Sequence, residues 1–265
     1  MSDIRGELFS CSSVKEIDKC LKQNIGEGYE NRNDILYTFD VDDTLIKLNH
    51  PLVQYLDRYG TLYNGLLEKY HRITEMDLRR CLAPYVELTE LGASEWLKSL
   101  KGKKIALTAS PTGKCADGTL MTKYRYQELK ERDITFEETF NTQSVVLNEL
   151  TYKGQCPTYY NGILFSLQQS GGSPSKGTVL CAFLKAIKYT PECVMLVDDR
   201  KENLESVQAE LEKQYRDTKI EFIGILYTGA KKDEPSDNLT EDEFKKNAED
   251  LFKECCRKFN IPEPK

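Results

Sequence analysis

The sequence has 265 residues, of which 39% are hydrophobic and 30% charged, which is the balance of a globular protein with a sizeable core. The formal net charge is −6 and the basic residues are scattered along the chain, so we expect no nucleic-acid partner. No stretch approaches the roughly 18 consecutive apolar residues that a membrane-spanning helix needs, so we expect no transmembrane segment.

The cysteines and the N-terminal residues indicate the cytoplasm. The nine cysteines are an odd number and include no C-x-x-C pair, so we expect reduced thiols and not a disulfide framework. Residues 1–10 carry Asp3, Arg5 and Glu7, and they lack the apolar segment of a Sec signal peptide. We therefore predict a cytoplasmic protein.

Hydrophobic spacing predicts helices and strands that alternate along the chain. In the first half of the chain we predict a helix that begins at a capping box over 13–16, a strand over 35–39, helical structure over 48–82 with breaks at Gly60 and Gly65, a helix over 86–100, a strand over 104–108 and a helix over 119–132. Extended segments at 145–147 and 162–165 and a loop over 171–175 follow. The remaining elements are a helix over 176–188, a strand over 194–197 followed by a long helix, a strand over 220–226 and a capped helix over 240–259.

This order of elements predicts an α/β fold, with a Rossmann-like parallel sheet flanked by helices. We assign residues 1–47 and 83–230 to the core and residues 48–82 to a small helical cap, inserted after the first strand. Residues 231–265 form a charged tail with a C-terminal helix.

Three predicted strands end in polar residues, and the first of them delivers Asp40, Asp42 and Asp43 into one short loop. Ligands bind at the carboxyl ends of parallel strands, so the three polar endings are expected to converge. Clustered carboxylates repel one another, and Mg²⁺, which prefers oxygen ligands, would offset that cost. One carboxylate can attack phosphorus and another can move protons. An Asp-rich turn or a helix N-cap is the alternative interpretation of this segment.

The second and third segments carry a hydroxyl group and an ammonium group. Thr108 ends the strand over 104–108, with Ser110 two residues later, and a hydroxyl there can bind a phosphate oxygen. Lys176 begins a helix, where a positive charge opposes the helix dipole unless it faces an anion. Taken singly, a turn-forming threonine and an exposed lysine remain the alternatives.

The fourth segment follows the apolar strand over 194–197 and consists of Asp198 and Asp199, with Asn203 on the first turn of the next helix. Two adjacent acids at the end of a buried strand need a counter-ion. Asn203 can reach back to the loop that holds them.

In order, spacing and strand-end placement, these four segments resemble the motifs of the haloacid dehalogenase-like superfamily, over roughly residues 30–228. The resemblance implies that Asp40 is the nucleophile, that Asp42 is the general acid and base, and that Thr108 and Lys176 bind the phosphoryl oxygens. It also implies a Mg²⁺ ion. The candidate metal-site residues are Asp40, Val41 through its carbonyl group, Asp42 and Asp198, with Asp199 and Asn203 in support.

Asp42 also separates classes within this superfamily, because the cation-pumping ATPases have threonine at that place. The resemblance therefore implies a Mg²⁺-dependent phosphatase that hydrolyses a phosphomonoester through an aspartyl phosphate on Asp40. More narrowly, residues 39–45, 162–165, 175–177 and 197–199 are similar to a little-characterised branch from intracellular bacteria. Some members of that branch resemble secreted effectors, so export without a Sec signal is an alternative to a cytoplasmic location.

The resemblance implies that the cap determines which substrate is bound, and we expect a phosphorylated small molecule or protein. Tyr55, Tyr59 and Tyr63 recur at a spacing of four, and Arg72, Arg79 and Arg80 lie nearby. One interpretation is that the tyrosines pack in the core and the arginines lie on a solvated face. The other is that the tyrosines form an aromatic wall that binds an aromatic phosphoester such as phosphotyrosine.

Two other functions stay open from the sequence. A phosphotransferase would pass the phosphoryl group to an acceptor other than water, and a non-catalytic member of the fold would serve as a binding module. We assign no role to His50 or His71, which have no partner at a recognisable spacing.

Overall fold

A mostly parallel eight-stranded sheet crosses the centre of the computed structural model, which describes residues 6–137, 139–167, 174–218, 220–230 and 239–264. The strands are β1 (Glu7–Cys11), β2 (Ile35–Phe39), β3 (Ile46–Leu48), β4 (Val86–Leu88), β5 (Lys103–Thr108), β6 (Ser144–Val146), β7 (Thr158–Tyr160), β8 (Ile163–Phe165), β9 (Cys193–Asp198) and β10 (Glu221–Tyr227). The sheet order is β1-β10-β9-β2-β5-β8-β7-β6, and β3 and β4 form a separate antiparallel pair.

The six strands from β1 to β8 in that order are parallel to one another, whereas β7 is antiparallel to both β8 and β6 and completes a meander at one edge. The helices are α1 (Val14–Asn24), α2 (Pro51–Gln54), α3 (Leu56–Lys69), α4 (Glu75–Cys81), α5 (Ala93–Ser99), α6 (Met121–Lys130), α7 (Lys176–Ala186), α8 (Lys201–Gln214) and α9 (Glu241–Phe259). The predicted α/β class and the mostly parallel sheet flanked by helices are confirmed.

The central strand β2 shows why the sheet is covered on both sides. All five of its residues are buried, and its side chains alternate between faces. Tyr37 and Phe39 pack with α1, α5 and α6, whereas Leu36 packs with α7 and α8 on the opposite face. A strand that is buried on both faces reads as a continuous apolar run, which is the pattern of residues 35–39.

The structure corrects three details of the predicted elements. Residues 86–88 form β4 and not the start of a helix, since they pair with β3 from an earlier part of the chain. The backbone of α3 departs from helical angles at Tyr59, while Gly60 and Gly65 both lie within the helix. Strand β1, which pairs with β10, was not predicted, and neither were the three-residue strands β3 and β7. Most of the loop predicted over 171–175 lies outside the described residues.

The predicted cap consists of α2, α3 and α4, and it packs against α9 from the charged tail. Helix α9 begins at the predicted capping box of Thr240 and Glu243. We call the apolar residues shared by these four helices the cap cluster. Its members are Leu52, Tyr55, Tyr59, Leu66, Tyr70, Ile73, Leu78, Cys81 and Leu82 from the cap, and Phe244, Ala248, Leu251, Phe252, Cys255, Cys256 and Phe259 from α9.

Membrane-spanning helices are absent from the described part of the chain: none of its helices combines the necessary length and apolar character.

Candidate active site

The ends of three neighbouring strands bring the predicted site residues to one edge of the sheet. Phe39 in β2 is paired with Ala106 in β5 and with Val197 in β9. Asp40 therefore leaves the sheet beside the ends of both neighbours, and its amide donates a hydrogen bond to the Val197 carbonyl oxygen at 2.8 Å. The convergence that the strand endings predicted is present in the fold.

Lys176 joins two of these strand ends. Its Nζ donates hydrogen bonds to Asp40 Oδ1 at 2.6 Å and to Asp198 Oδ2 at 2.8 Å. The Lys176 side chain is 1% exposed, so the ammonium is desolvated and depends on its two carboxylate partners. These two carboxylates raise the pKa of Lys176 even though its burial acts in the opposite direction, so it is charged throughout the physiological range.

A third carboxylate completes a cluster with metal-binding potential. Carboxylate oxygens of Asp40, Asp198 and Asp199 lie within 4.8 Å of one another. When all three groups are ionised, Lys176 balances one of three negative charges, and a divalent cation would balance the other two. Hard carboxylate oxygens are the donors that Mg²⁺ and similar cations prefer, so the residues present fit such an ion.

Burial and the excess of negative charge in this cluster raise the pKa values of two of its carboxyl groups. Burial raises the pKa of Asp40 well above its usual value; Lys176 opposes this shift, and Asp198 and Asp199 add to it. Burial, together with repulsion from Asp198 and Asp43, raises the pKa of Asp199 to about 6. A cation among these oxygens would stabilise the ionised forms and lower both pKa values.

Asn203 supports Asp198. Its side-chain amide Nδ2 donates a hydrogen bond to Asp198 Oδ1 at 2.9 Å, and the Arg200 backbone amide donates to the same oxygen at 3.0 Å. These two donors fix the Asp198 carboxylate, which is fully buried at the end of β9. Asn203 thus contacts a candidate ligand and can orient it.

The structure gives no support to the predicted metal ligand at Val41. The Val41 carbonyl oxygen accepts hydrogen bonds from the amides of Leu45 and Ile46, both at 3.0 Å, and closes the turn after β2. A carbonyl oxygen has two lone pairs, and both are used here, so Val41 is not suited to bind a cation. Asp43 in the same turn has a φ of 58°, which is typical of a left-handed turn residue.

The Asp42 side chain contacts two arginines and is not part of the cluster that Asp40, Asp198 and Asp199 form. Arg79 Nη2 lies 3.1 Å from Asp42 Oδ1, and Arg125 Nη2 donates a hydrogen bond to Asp42 Oδ2. Partial desolvation by the surrounding protein would raise the pKa of Asp42, but Arg125 and Arg79 outweigh this effect and lower that pKa. The carboxyl group is therefore ionised at neutral pH, which is the form that a general base needs.

Thr108 lies at the end of β5 and is fully buried. Its hydroxyl oxygen accepts a hydrogen bond from the Ser110 amide at 3.2 Å, and its carbonyl oxygen accepts bonds from the Ser166 amide and hydroxyl group. The buried Ser110 hydroxyl has no hydrogen-bond partner among the described residues. A buried hydroxyl without a partner is costly, so a ligand oxygen that reached Ser110 would relieve that cost.

The sequence does not predict the pairing of Asp42 with Arg79 and Arg125, or the contacts that Glu128 makes with both arginines. These three residues lie 37, 83 and 86 residues after Asp42 in the chain. The only local signal is the spacing of three between Arg125 and Glu128 in a predicted helix, which also occurs on ordinary solvated helices.

The cap tyrosines pack inside the cap and under α9. Tyr55 and Tyr59 are 7% and 9% exposed and belong to the cap cluster. The Tyr59 ring centroid lies 4.8 Å from that of Phe244, and the Tyr63 centroid lies 6.0 Å from that of Phe252. These contacts favour core packing over an aromatic wall for the substrate.

Sequence comparison gives the family of the chain but not its activity. The chain belongs to a family of proteins of unknown function, DUF2608, whose sequence profile matches residues 10–253. An uncharacterised protein of Rickettsia typhi is 22% identical over 239 residues, which are 84% of this chain and 78% of that relative. An uncharacterised protein of Rickettsia prowazekii is 24% identical over 238 residues, which are 84% of this chain and 77% of that relative. No solved structure matches the chain.

Proposed function

We propose that the protein is a Mg²⁺-dependent phosphatase of the haloacid dehalogenase-like type that hydrolyses a phosphomonoester through an aspartyl phosphate on Asp40. The observation that carries the proposal is the buried contact of Lys176 with both Asp40 and Asp198, beside the third carboxylate, Asp199. An anionic group that entered this site would meet an ammonium group beside a nucleophilic carboxylate.

The metal site in this proposal is smaller than the one that the sequence predicted. Asp40, Asp198 and Asp199 would hold the ion, and Asn203 would orient Asp198. When bound, Mg²⁺ supplies positive charge for the phosphoryl oxygens and for the carboxylates.

The residues of the chain account for two displacement steps. The Asp40 carboxylate attacks phosphorus and the bond to the leaving oxygen breaks. Asp42, which is ionised in the free protein, takes up a proton from solvent when the phosphoryl anion is bound and passes that proton to the leaving oxygen. In the second step a water molecule gives a proton to Asp42 and attacks the aspartyl phosphate, so that phosphate leaves and Asp40 is restored. Lys176 and Thr108 stabilise and position the phosphoryl oxygens, because charge spreads over them in the transition state.

The substrate in this proposal is a phosphorylated small molecule or protein. A preference for an aromatic phosphoester loses its support, since Tyr55 and Tyr59 face the cap cluster. Cytoplasmic location, or export without a Sec signal, stays a prediction from the sequence.

The first test is hydrolysis of p-nitrophenyl phosphate with Mg²⁺ and with EDTA, by the wild-type protein and the near-isosteric Asp40→Asn variant. We expect release that requires Mg²⁺ and is abolished in the variant, while the variant's circular dichroism spectrum is unchanged. Normal turnover by Asp40→Asn would exclude Asp40 as the nucleophile. A wild-type rate that rises with added alcohol acceptors would favour the phosphotransferase, and failure to bind Mg²⁺ would favour the binding module.

A further inference from the structure

The Asp42 carboxylate is held by two helices that lie far apart in the chain. Arg79 belongs to the cap helix α4 and contacts Asp42 Oδ1 at 3.1 Å. Arg125 belongs to the core helix α6 and donates a hydrogen bond to Asp42 Oδ2. Each carboxylate oxygen therefore has one guanidinium partner, and together the two partners fix both the position and the plane of the group.

Glu128 forms ion pairs with both arginines and so fixes their positions. Its Oε2 lies 2.5 Å from Arg125 Nη1 and 3.3 Å from Arg79 Nη2, and its Oε1 accepts a hydrogen bond from the Tyr124 hydroxyl at 2.9 Å. The side chains of Glu128 and Arg125 are 2% and 3% exposed. Two cations and two anions balance in this network, so it needs no further counter-ion.

Asp42 is the member of this network that solvent and a substrate can reach. Its side chain is 43% exposed, whereas that of Arg79 is 15% exposed. An ionised carboxyl group has about four lone-pair sites. Two arginine contacts thus leave sites free for a leaving oxygen or an attacking water, while the orientation of the group stays fixed.

We propose that Arg79 is a positioning residue through which the cap orients the Asp42 carboxylate for proton transfer. This inference rests on the proposed phosphatase function. The competing explanation is that Arg79 only ties the cap to the core. The two explanations differ in what they predict for the second step of turnover, where Asp42 must take a proton from water.

The test uses Arg79→Met with a matched control on the same helix. Arg80 is similarly buried, with 17% of its side chain exposed, but its partner is Asp117 at 2.7 Å and not Asp42. Arg80→Met therefore removes a half-buried arginine and its ion pair from α4 without removing a hydrogen-bond or ion-pair partner of Asp42 or Glu128; the Arg80 guanidinium lies over the rings of Tyr124 and Phe259. Arg79→Lys keeps the positive charge and serves as the conservative variant.

Each protein is mixed rapidly with p-nitrophenyl phosphate and Mg²⁺. Nitrophenolate is a good leaving group that departs without a proton, so the first step needs little help from Asp42, whereas hydrolysis of the aspartyl phosphate needs its base function. For Arg79→Met we expect a burst of about one nitrophenolate per protein and then steady turnover slowed about 10²-fold, the size of effect that a small misplacement of a catalytic group produces. Because the second step then limits the rate, kcat and KM fall together. Arg79→Lys recovers part of kcat, and Arg80→Met behaves as the wild type.

A wild-type kcat in Arg79→Met, or equal losses in Arg79→Met and Arg80→Met, would overturn the positioning role while the phosphatase assignment stands. Absence of Mg²⁺-dependent release from the wild type would overturn both. As an independent check, Arg79→Met should have no further effect on steady turnover in an Asp42→Asn background, since it acts through that carboxylate. Additive losses in the double variant would also contradict the role, and this comparison stays informative if either single variant is less stable.

Discussion

At the residue scale, Lys176 shows how a buried charge can be tolerated and used. A lone ammonium in the interior would be costly, and so would the three neighbouring carboxylates without a cation. Lys176 satisfies Asp40 and Asp198 at the same time, so the two costs partly cancel. The remaining negative charge is what makes a divalent cation suitable for this site.

His50 has a structural role that the sequence did not show, and it makes stability depend on pH. Its Nδ1 accepts a hydrogen bond from the Leu52 amide at 3.1 Å and caps α2, and its ring packs against Tyr85. Burial lowers the pKa of His50 in the folded protein. The unfolded chain, with a histidine pKa of about 6.5, then binds the proton more readily than the folded one.

We therefore expect the contribution of His50 to the free energy of unfolding to be complete above pH of about 6.5 and to decrease as the pH falls below it. His50→Asn keeps a capping acceptor and should flatten this dependence. The measurement is urea unfolding between about pH 5 and pH 8, compared as the difference between wild type and variant because other acids titrate in that range. His71→Asn, at an exposed position, is the control for loss of a histidine. An identical pH profile in His50→Asn would contradict the prediction.

At the element scale, the position of Lys176 depends on how closely α7 approaches α8. A Cβ atom on Gly177 would lie 2.1 Å from the Ser206 carbonyl oxygen and 3.0 Å from Glu210 Cβ. Gly177 follows Lys176 directly at the start of α7, so the absence of a side chain lets the helix bring the ammonium to Asp40 and Asp198.

Gly177→Ala should push the two helices apart. We expect the free energy of unfolding to fall by roughly 1–3 kcal/mol, as overpacking does, and kcat to fall about 10²-fold through displacement of Lys176. Gly65→Ala in α3 is the matched control, since nothing lies within 4 Å of its Cβ position. That variant should gain about 0.5–1 kcal/mol of stability with unchanged kcat. Chemical unfolding and p-nitrophenyl phosphate turnover measure both effects, and wild-type kcat in Gly177→Ala would show that the helix spacing does not set the site.

The elements that the sequence predicted are those with a strong local signal. Strand β2 is a buried apolar run and has the predicted bounds, and α9 begins at its predicted capping box. Strand β4 has three residues, too few for a period of two to stand out, and it exists because β3 pairs with it across the cap insertion. Strand β1 likewise depends on its partner β10, which lies near the other end of the sequence. Pairing between distant segments leaves little trace in either segment alone.

In the candidate site, too, residues with a local sequence signal were predictable and contacts between distant segments were not. Asp40, Thr108 and Asp198 were predictable because each follows an apolar strand, and parallel strands align their ends. The partners of Asp42 were not, because Arg79 and Arg125 meet it only after the cap and α6 have packed. A solvated face was the reasonable interpretation of Arg79 and Arg80 from the sequence, and the structure shows both half-buried and paired with Asp42 and Asp117 instead.

At the scale of the whole molecule, the sheet and the cap have separate apolar cores. Helices α1, α5 and α6 cover one face of the sheet and α7 and α8 cover the other. The cap cluster instead joins α2, α3 and α4 to α9. The tail helix is thus part of the cap's core, and α4, which carries Arg79, packs directly on it. The stability of the cap should therefore influence turnover through Arg79 without changing the carboxylates at the end of the sheet.

Phe252→Ala tests this separation. Phe252 is fully buried in α9, with its ring centroid 5.0 Å from that of Tyr70. Loss of a buried phenylalanine ring costs about 3–5 kcal/mol of unfolding free energy, and here the cost should fall on the cap cluster. We expect slower steady turnover of p-nitrophenyl phosphate but an unchanged Mg²⁺ affinity in calorimetric titration, because Asp40, Asp198 and Asp199 lie at the sheet. Glu254→Ala, at an exposed position on the same helix, is the control. A parallel loss of Mg²⁺ affinity in Phe252→Ala would instead mean that the sheet and the cap loosen as one cooperative unit.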